Sequence, residues 1–392
     1  MQLNQIDPIT LGDRLRVARE SKQITQAVAS EAINAARTTL VAIEKGQRKL
    51  KISELKKLAD LYNCSVNSLL REEAIHVDLV PRFRKQMSSH ANAGEKAAST
   101  MTQLAKAEVE LENLLGVQRV KNYPPERPLL PGNVERQAEQ DALELRQWLG
   151  LSQSPIHDIV SILEFDLGVR LYIKKMDSSI SGLFAYEDAL GACILLNGNH
   201  PRDRRNLTAA HELGHLVSTR RVPEVLFDDD PQTSKEEKYA NAFAKAFLMP
   251  SRALINKFKE ITSGATQFTR RHVIILSHTF CVSREATVRQ LEDLQVIKKG
   301  TWDWFTMNGG ISNEQALEVL GELAINNRDQ GVSEKPTTYR LNSLICQAWQ
   351  QELLSEGQLV KLLDIDHHEL RDILDNHDLD GSDADDAPSL FD

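Results

Sequence analysis

Only four of the 392 residues are cysteines, Cys64, Cys193, Cys281 and Cys346, and no two of them form a C-x-x-C pair. That excludes a cysteine-ligated zinc finger and fits a reducing compartment, so a cytoplasmic location is expected. No run approaches 18 uninterrupted apolar residues, which leaves no candidate membrane span and no membrane partner to expect. Residues 1–7 carry neither a basic flank nor an apolar run, so no signal peptide is expected. There is no excess of positive charge either. The net charge is -9, which argues against a chain that coats nucleic acid over its whole surface but leaves room for one small basic module. No repeat with a period of 20–50 residues is visible. Against these absences stand 41% apolar residues, enough for the cores of two or three domains.

The most informative stretch is His211-Glu212-Leu213-Gly214-His215, of the form H-E-x-x-H. Positions i and i+4 of a helix share one face, so two imidazoles placed there can grip one metal ion. Glu212 follows the first histidine and can reach a water at the metal without binding the metal itself, which is the layout of a zinc hydrolase helix. Leu207, Ala209, Ala210, Leu213, Leu216 and Val217 make the helix apolar enough to be buried. Gly214 would cost about 1 kcal/mol relative to Ala in a helix interior, a cost that a close approach by another backbone would justify.

Val169 to Ile173, Gly182 to Tyr186 and Ala192 to Asn197 read as strands, giving a small three-stranded sheet just before this helix. A sheet edge beside a metal offers a place for a substrate to lie as an added strand. Residues 134–149 read as a helix, and Pro155-Ile156 is expected to open another at its first turn. For the third ligand, the form that ends in a histidine six residues beyond the pair is excluded, because Ser218 and Arg221 stand at the two diagnostic positions. A carboxylate from the following helix remains. Glu237 lies three and seven residues before Ala240 and Ala244, on the packing side, whereas Glu236 is about 100° away around the helix. The loop Asp228-Asp229-Asp230 is the rival source, ranked second because loops hold ligands less rigidly. Tyr239 and His278 are candidate oxyanion donors, though packing or surface roles are the simpler reading of both.

Residues 11–73 read as short helices joined by tight turns. Leu11, Leu15 and Ala18 give the first its apolar face; Thr25 caps a second, with Ala27, Val28 and Ala32 expected inward. Leu40 and Ile43 mark a third, which Gly46 ends, and Leu55, Leu58 and Leu61 a fourth. Residues 1–73 hold 12 Lys/Arg against 9 Asp/Glu, so this module is basic within an acidic chain. Residues 74–132 form a connector. It contains an expected long helix over 92–115, read first as a spacer and second as the seam of a homodimer, and then the proline-rich 123–132. Residues 301–377 read as a helical C-terminal region and 378–392 as an acidic disordered tail. The fold class is therefore mostly α (α+β): an all-α N-terminal domain at 11–73, a metal domain at 133–300 with its sheet beside the H-E-x-x-H helix, and helices after it.

Two resemblances sharpen this reading. Leu-Gly-x-Arg-Leu-Arg16, Thr25-Gln26 and Ile43-Glu-Lys-Gly-x-Arg48 resemble the Xre or lambda-repressor-like helix-turn-helix family over residues 11–73, with Ala36 standing where a capping Ser is common. The resemblance implies a double-stranded DNA operator as partner. It places Arg37, Thr38 and Thr39 near base edges and Gln26, Lys45, Arg48, Lys49 and Lys51 near phosphates. Thr208-Ala-Ala-His-Glu-Leu-Gly-His215 followed by Glu237-x-x-Ala-Asn-x-Phe-Ala-x-x-x-Leu-Met-Pro250 resembles the ImmA/IrrE family of metallopeptidases, of gluzincin-like fold, over about residues 135–300. The chain departs from the family at Asn206-Leu207 and at Ser218-Thr219. This resemblance implies one Zn2+ held by His211, His215 and Glu237, with Glu212 as the catalytic carboxylate. The expected function is a DNA-binding regulator that is also a zinc endopeptidase. Its protein substrate would be a repressor or toxin partner in a mobile-element, stress or toxin–antitoxin setting. The alternative is a repressor or antitoxin whose metal site is sensory or inactive.

Overall fold

The computed structural model describes residues 7–22, 24–62, 66–70, 79, 83, 91–227, 234–321 and 338–378. The chain divides into two units. One comprises residues up to 79 with 102–118 and those from 341 onward; the other comprises 80–101 and 119–340.

The first unit opens with helices α1 (Pro8–Ser21), α2 (Gln26–Ala32), α3 (Arg37–Glu44), α4 (Ile52–Leu61) and α5 (Val66–Leu70). Asp7 and Thr25 accept backbone N–H bonds at the starts of α1 and α2, whereas Ala36 offers none to α3. Leu11, Leu15, Leu40, Ile43, Leu55 and Leu58 meet in one core, as the spacing predicts. The expectation for α2 is corrected: Ala27 and Val28 are exposed and Ala32 is half-buried, while Ala29, Ser30 and Ile33 turn inward. With Thr25 as cap, the inward stripe falls one residue, or about 100°, from the expected one. Gly12 allows α1 to lie on the end of α3, because a Cβ there would come within 2.5 Å of the Glu44 carbonyl oxygen. Gly46 takes φ +69° just past α3, the left-handed conformation that ends it. A buried ion pair joins the two helices, Arg19 Nε donating to Glu44 Oε1 at 2.6 Å. The same unit includes the C-terminal helices, where Lys361 Nζ reaches Asp60 Oδ1 at 2.9 Å.

Helix α6 (Ala91–Leu115) is the expected long helix, with Met101, Leu104 and Leu111 buried. In the second unit the proline-rich stretch is laid along the body. The Tyr123 hydroxyl accepts from Ala192 N at 3.0 Å, and Arg127 N donates to the Val217 carbonyl at 2.7 Å. Helix α7 (Val134–Trp148) follows, then α8 (Ile159–Ser161), which runs into a π turn at Ile162–Asp166. Here too the expectation is corrected. Asp158, not Pro155, sets the helix start, its carboxylate accepting from Ser161 N at 3.1 Å. Arg146 is fully buried at the end of α7. It donates through Nε to the Ser152 carbonyl and through its guanidinium nitrogens to those of Ser154 and Phe247.

Strands β1 (Arg170–Lys174), β2 (Ile180–Glu187) and β3 (Gly191–Asn197) are the three expected, and a fourth, β4 (Glu224–Phe227), is added after helix α9 (Arg202–Ser218). Four residues of mixed character carry too little alternation to be read as a strand. Among the described residues the order is β1-β3-β2-β4, with β1 parallel to β3 and the other pairs antiparallel. Phe184, Ala192, Ile194 and Leu196 share one face and enter the main core with Leu213, Leu216, Phe243 and Phe247 from α9 and α10 (Lys235–Leu248). Helices α11 (Ser251–Ile261), α12 (Arg270–Phe280), α13 (Arg284–Asp293), α14 (Thr301–Met307) and α15 (Asn313–Leu320) complete the unit. Phe305 packs against Val273 and Val288, so the aromatic cluster of α14 is core rather than a stacking platform. Among the described residues no helix is long and apolar enough to cross a membrane. The acidic loop 228–230 and the tail from 379 lie outside the described residues.

Candidate metal centre

Helix α9 is buried almost continuously from Asn206 to Ser218. His211 and His215, one turn apart, bring their Nε2 atoms to 3.1 Å of each other. Each ring is oriented from behind. His211 Nδ1 donates to Asn241 Oδ1 at 3.0 Å, and His215 Nδ1 pairs with Thr219 Oγ1 at 3.2 Å. With Nδ1 of His211 protonated, its Nε2 lone pair is left for a cation, the usual arrangement of a ligating histidine. The Phe184 ring stacks on His215 with centroids 6.4 Å apart.

Glu237 lies in the first turn of α10, whose start Ser234 caps by accepting from Glu237 N at 3.1 Å. Its Oε2 lies 3.3 Å from His211 Nε2 and its Oε1 3.3 Å from His215 Nε2. The three donor atoms fall within 4.8 Å of one another. Helix α10 gets this close because residue 214 is glycine: a Cβ there would stand 3.0 Å from the Ala240 Cα.

Glu212 points to the same region and is fully buried. Neither of its carboxylate oxygens has a hydrogen-bond partner, and Glu237 Oε2 also lacks one. Burial pushes the Glu212 carboxyl well above the usual range, and the carboxylates of Glu237 and Glu224 add to the rise. Burial likewise holds His215 below its ordinary value, in the neutral form that ligates metal. For Glu237 burial raises the pKa, but the adjoining His211 and His215 rings outweigh it and hold the carboxyl below the ordinary range. Two imidazole nitrogens and a carboxylate converging on one point, with an unpartnered second carboxylate beside them, suit a divalent cation such as zinc.

Four residues of the site were given no role from the sequence. Asn241 and Thr219 orient the histidines; Thr219 is one of the two positions where the chain departs from the family pattern after the second histidine. Gly182 of β2 makes room for Glu212, since a Cβ there would come within 3.0 Å of Oε1. Glu224 of β4 pairs in register with Phe184, and burial, with Glu237 and Glu236 nearby, pushes its carboxyl up to about 8. Tyr239 takes the packing role that was the simpler of its two readings, buried in the core with its hydroxyl donating to Asp141 Oδ2 at 2.8 Å. His278 sits with Arg202 and Cys281 around a separate small cavity near the start of α9.

In the first unit Arg37 and Thr38 are exposed on α3 and Thr39 is half-buried; Lys45, Lys49 and Lys51 are exposed. Gln26 bridges, its Nε2 donating to Glu44 Oε2 at 3.0 Å and its Oε1 accepting from Arg37 at 3.4 Å. Arg48 is held by Glu54 through two hydrogen bonds of 3.1 and 2.9 Å.

Residues 165–292 match the family model of the IrrE N-terminal-like domain, a peptidase family, and residues 10–72 match that of a helix-turn-helix domain. The chain joins a helix-turn-helix domain to an IrrE-like peptidase domain. No curated protein matches it. The IrrE-like match takes in His211, Glu212, His215 and Glu237 as well as all four strands.

Proposed function

We propose that the chain is a DNA-binding regulator whose IrrE-like domain is a zinc-dependent endopeptidase, acting in the cytoplasm on a regulatory protein such as a repressor or toxin partner. The observation that carries this reading is Glu212: a fully buried carboxylate with both oxygens unpartnered, beside three convergent donors. A site built only to hold a metal has no use for it, and leaving it there costs several kcal/mol.

His211, His215 and Glu237 would hold one zinc ion, which when bound supplies a Lewis acid that polarises the scissile carbonyl and acidifies water. Glu212 accepts the proton of the attacking water and delivers it to the leaving amine. Asn241 and Thr219 keep the imidazoles in register. In the helix-turn-helix domain Arg37, Thr38 and Thr39 read base edges, with Gln26, Lys45, Arg48, Lys49 and Lys51 positioned by the backbone of a double-stranded operator.

The near-complete burial of His211, Glu212 and His215 favours a second reading, a repressor or antitoxin that uses the same donors to sense a metal. Wild type and Glu212→Gln, each loaded with zinc and incubated with the proteins encoded by neighbouring genes, separate the two. Cleavage by wild type alone supports the peptidase. No cleavage by either form, with equal repression by both, leaves the sensor.

A further inference from the structure

A second group of metal-ligating side chains lies around the small cavity at the start of α9, which Arg202, Asp203, His278 and Cys281 help to line. Cys281 ends α12 at φ 53° and ψ 39°, a left-handed conformation that is uncommon for a residue with a side chain. Its thiol is free and half-buried, and Sγ stands 3.4 Å from Nδ1 of the exposed His157, 124 residues away in the chain. His278 lies one turn earlier on α12 and faces the same cavity. Burial first, and the charge of His157 second, hold the His278 imidazole below its ordinary value, so His157 is near and the His278 ring is neutral. The backbones that carry the pair are anchored to α9. Asn206 Nδ2 donates to the Cys281 carbonyl and Arg202 Nη2 to the His157 carbonyl, each at 3.1 Å. None of these residues belongs to the cluster of His211, His215 and Glu237.

We propose that Cys281, His157 and His278 form a second cation site, for a thiophilic divalent ion of the zinc type. Zinc at about 2.3 Å from sulfur and about 2.0 Å from nitrogen sets tetrahedrally disposed donors about 3.5 Å apart. The separation of Cys281 Sγ from His157 Nδ1, 3.4 Å, already matches that spacing. His278 completes the set when the ion draws its ring towards the pair, and the cavity leaves room for a water as fourth ligand. Without an ion the thiol keeps its proton, because burial holds it above the usual range more than Arg202 lowers it. A bound ion displaces that proton to solvent, so one proton is released as the sulfur–metal bond forms. One thiolate with two imidazoles favours zinc or cobalt, whereas magnesium and calcium take oxygen donors. The ion would tie the end of α12 to the segment before α8, the two places where the first turns of α9 are held. The site is independent of any peptidase activity, since it shares no residue with the H-E-x-x-H centre.

The test titrates the full chain, freed of metal with a chelator and kept reduced without oxygen, with Co2+. The readout is the near-ultraviolet charge-transfer absorption that only a thiolate bound to cobalt gives. The cluster of His211, His215 and Glu237 offers nitrogen and oxygen alone and contributes nothing to this band. The wild-type chain is expected to develop the band, to lose it on addition of Zn2+ and to keep it in excess Mg2+. Cys281→Ser is expected to lack it. His157→Ala and His278→Ala should each need at least about tenfold more cobalt to reach half of it, as loss of an imidazole from a metal site does. His157 is exposed, so its variant keeps the test valid if Cys281→Ser folds poorly. No band in the wild type under excess cobalt overturns the proposal, as does a band that survives Cys281→Ser. Wild-type cobalt affinity in His157→Ala or in His278→Ala overturns it as well.

Discussion

A Cβ on Gly214 would stand 3.0 Å from the Cα of Ala240. This contact between α9 and α10 sets the distance from the two histidines to Glu237, because the donors on one helix and the donor on the other move with their backbones. A larger residue at 214 pushes the helices apart. Gly214→Val is expected to cost about 1–3 kcal/mol, the range for overpacking a tight interface, and to lose zinc together with stability. Thermal unfolding and bound zinc per chain measure both. A variant that keeps one zinc at unchanged Tm would show that the spacing is set elsewhere.

Asn241 and Thr219 stand outside the cluster of three donors, yet each fixes one of its two imidazole rings through Nδ1. Asn241→Ala and Thr219→Ala should each weaken zinc binding roughly 10–100-fold, the usual effect of removing an orienting partner. Competition with a chelator gives the number. Affinities within twofold of wild type would mean that packing alone, including Phe184 against His215, holds the rings.

The hydroxyl of Tyr239 is committed to Asp141, which Arg127 also engages at 2.7 Å. Tyr239→Phe should therefore destabilise the fold by about 1–3 kcal/mol, the cost of leaving a buried acceptor one bond short, while leaving the turnover number unchanged. A large fall in turnover at unchanged stability would return Tyr239 to the chemistry.

Glu224 keeps its proton up to about pH 8 in the folded metal-free chain, against an ordinary value of 4.5. Between these values the folded state binds more protons than the unfolded one, so stability falls as pH rises. The contribution is fully present below about 4.5 and gone above about 8. Glu224→Gln removes this dependence. In chelator-treated protein, the Tm of the variant minus that of wild type should grow across the window. A difference that stays flat would show that Glu224 titrates normally.

In the helix-turn-helix domain, Glu44 receives Arg19 and Gln26, and Gln26 in turn receives Arg37. Glu44→Ala leaves a buried guanidinium without its partner and should cost about 3–5 kcal/mol. Arg37→Ala should leave stability unchanged and weaken operator binding by roughly 1–3 kcal/mol, as loss of one bidentate base contact does. Urea unfolding and a gel shift distinguish them; equal operator binding by Arg37→Ala would displace α3 as the reading helix.

Much of this was legible in the chain. Period gave most of the helices of both domains, and the caps Thr25 and Gly46 were legible because they act on their own neighbours through local hydrogen bonds or backbone freedom. H-E-x-x-H placed two donors on one face by helix geometry alone, and Glu237 followed from the packing side of the next helix. The phase of α2 was not legible: Ala27, Val28, Ala29 and Ala32 are all acceptable inward residues, and which of them is buried depends on how the helix rolls against α3 and α4. Strand β4 was hidden for a similar reason, since four residues have no period to speak of until β2 lies beside them.

Residue types and their spacing settle the kinds of chemistry: imidazoles and carboxylates one helical turn apart, and a basic module in an acidic chain. Which groups share a volume depends on how whole elements pack. Burial without a partner is what makes Glu212 more than another acidic residue, and that property belongs to the space formed by α9, α10 and β2. The same holds for Glu224 and Asn241, whose roles exist because distant segments pack within hydrogen-bonding or charge range. Sequence spacing controls geometry over one turn of helix; beyond that, contact distances are set by the shapes of whole elements against each other.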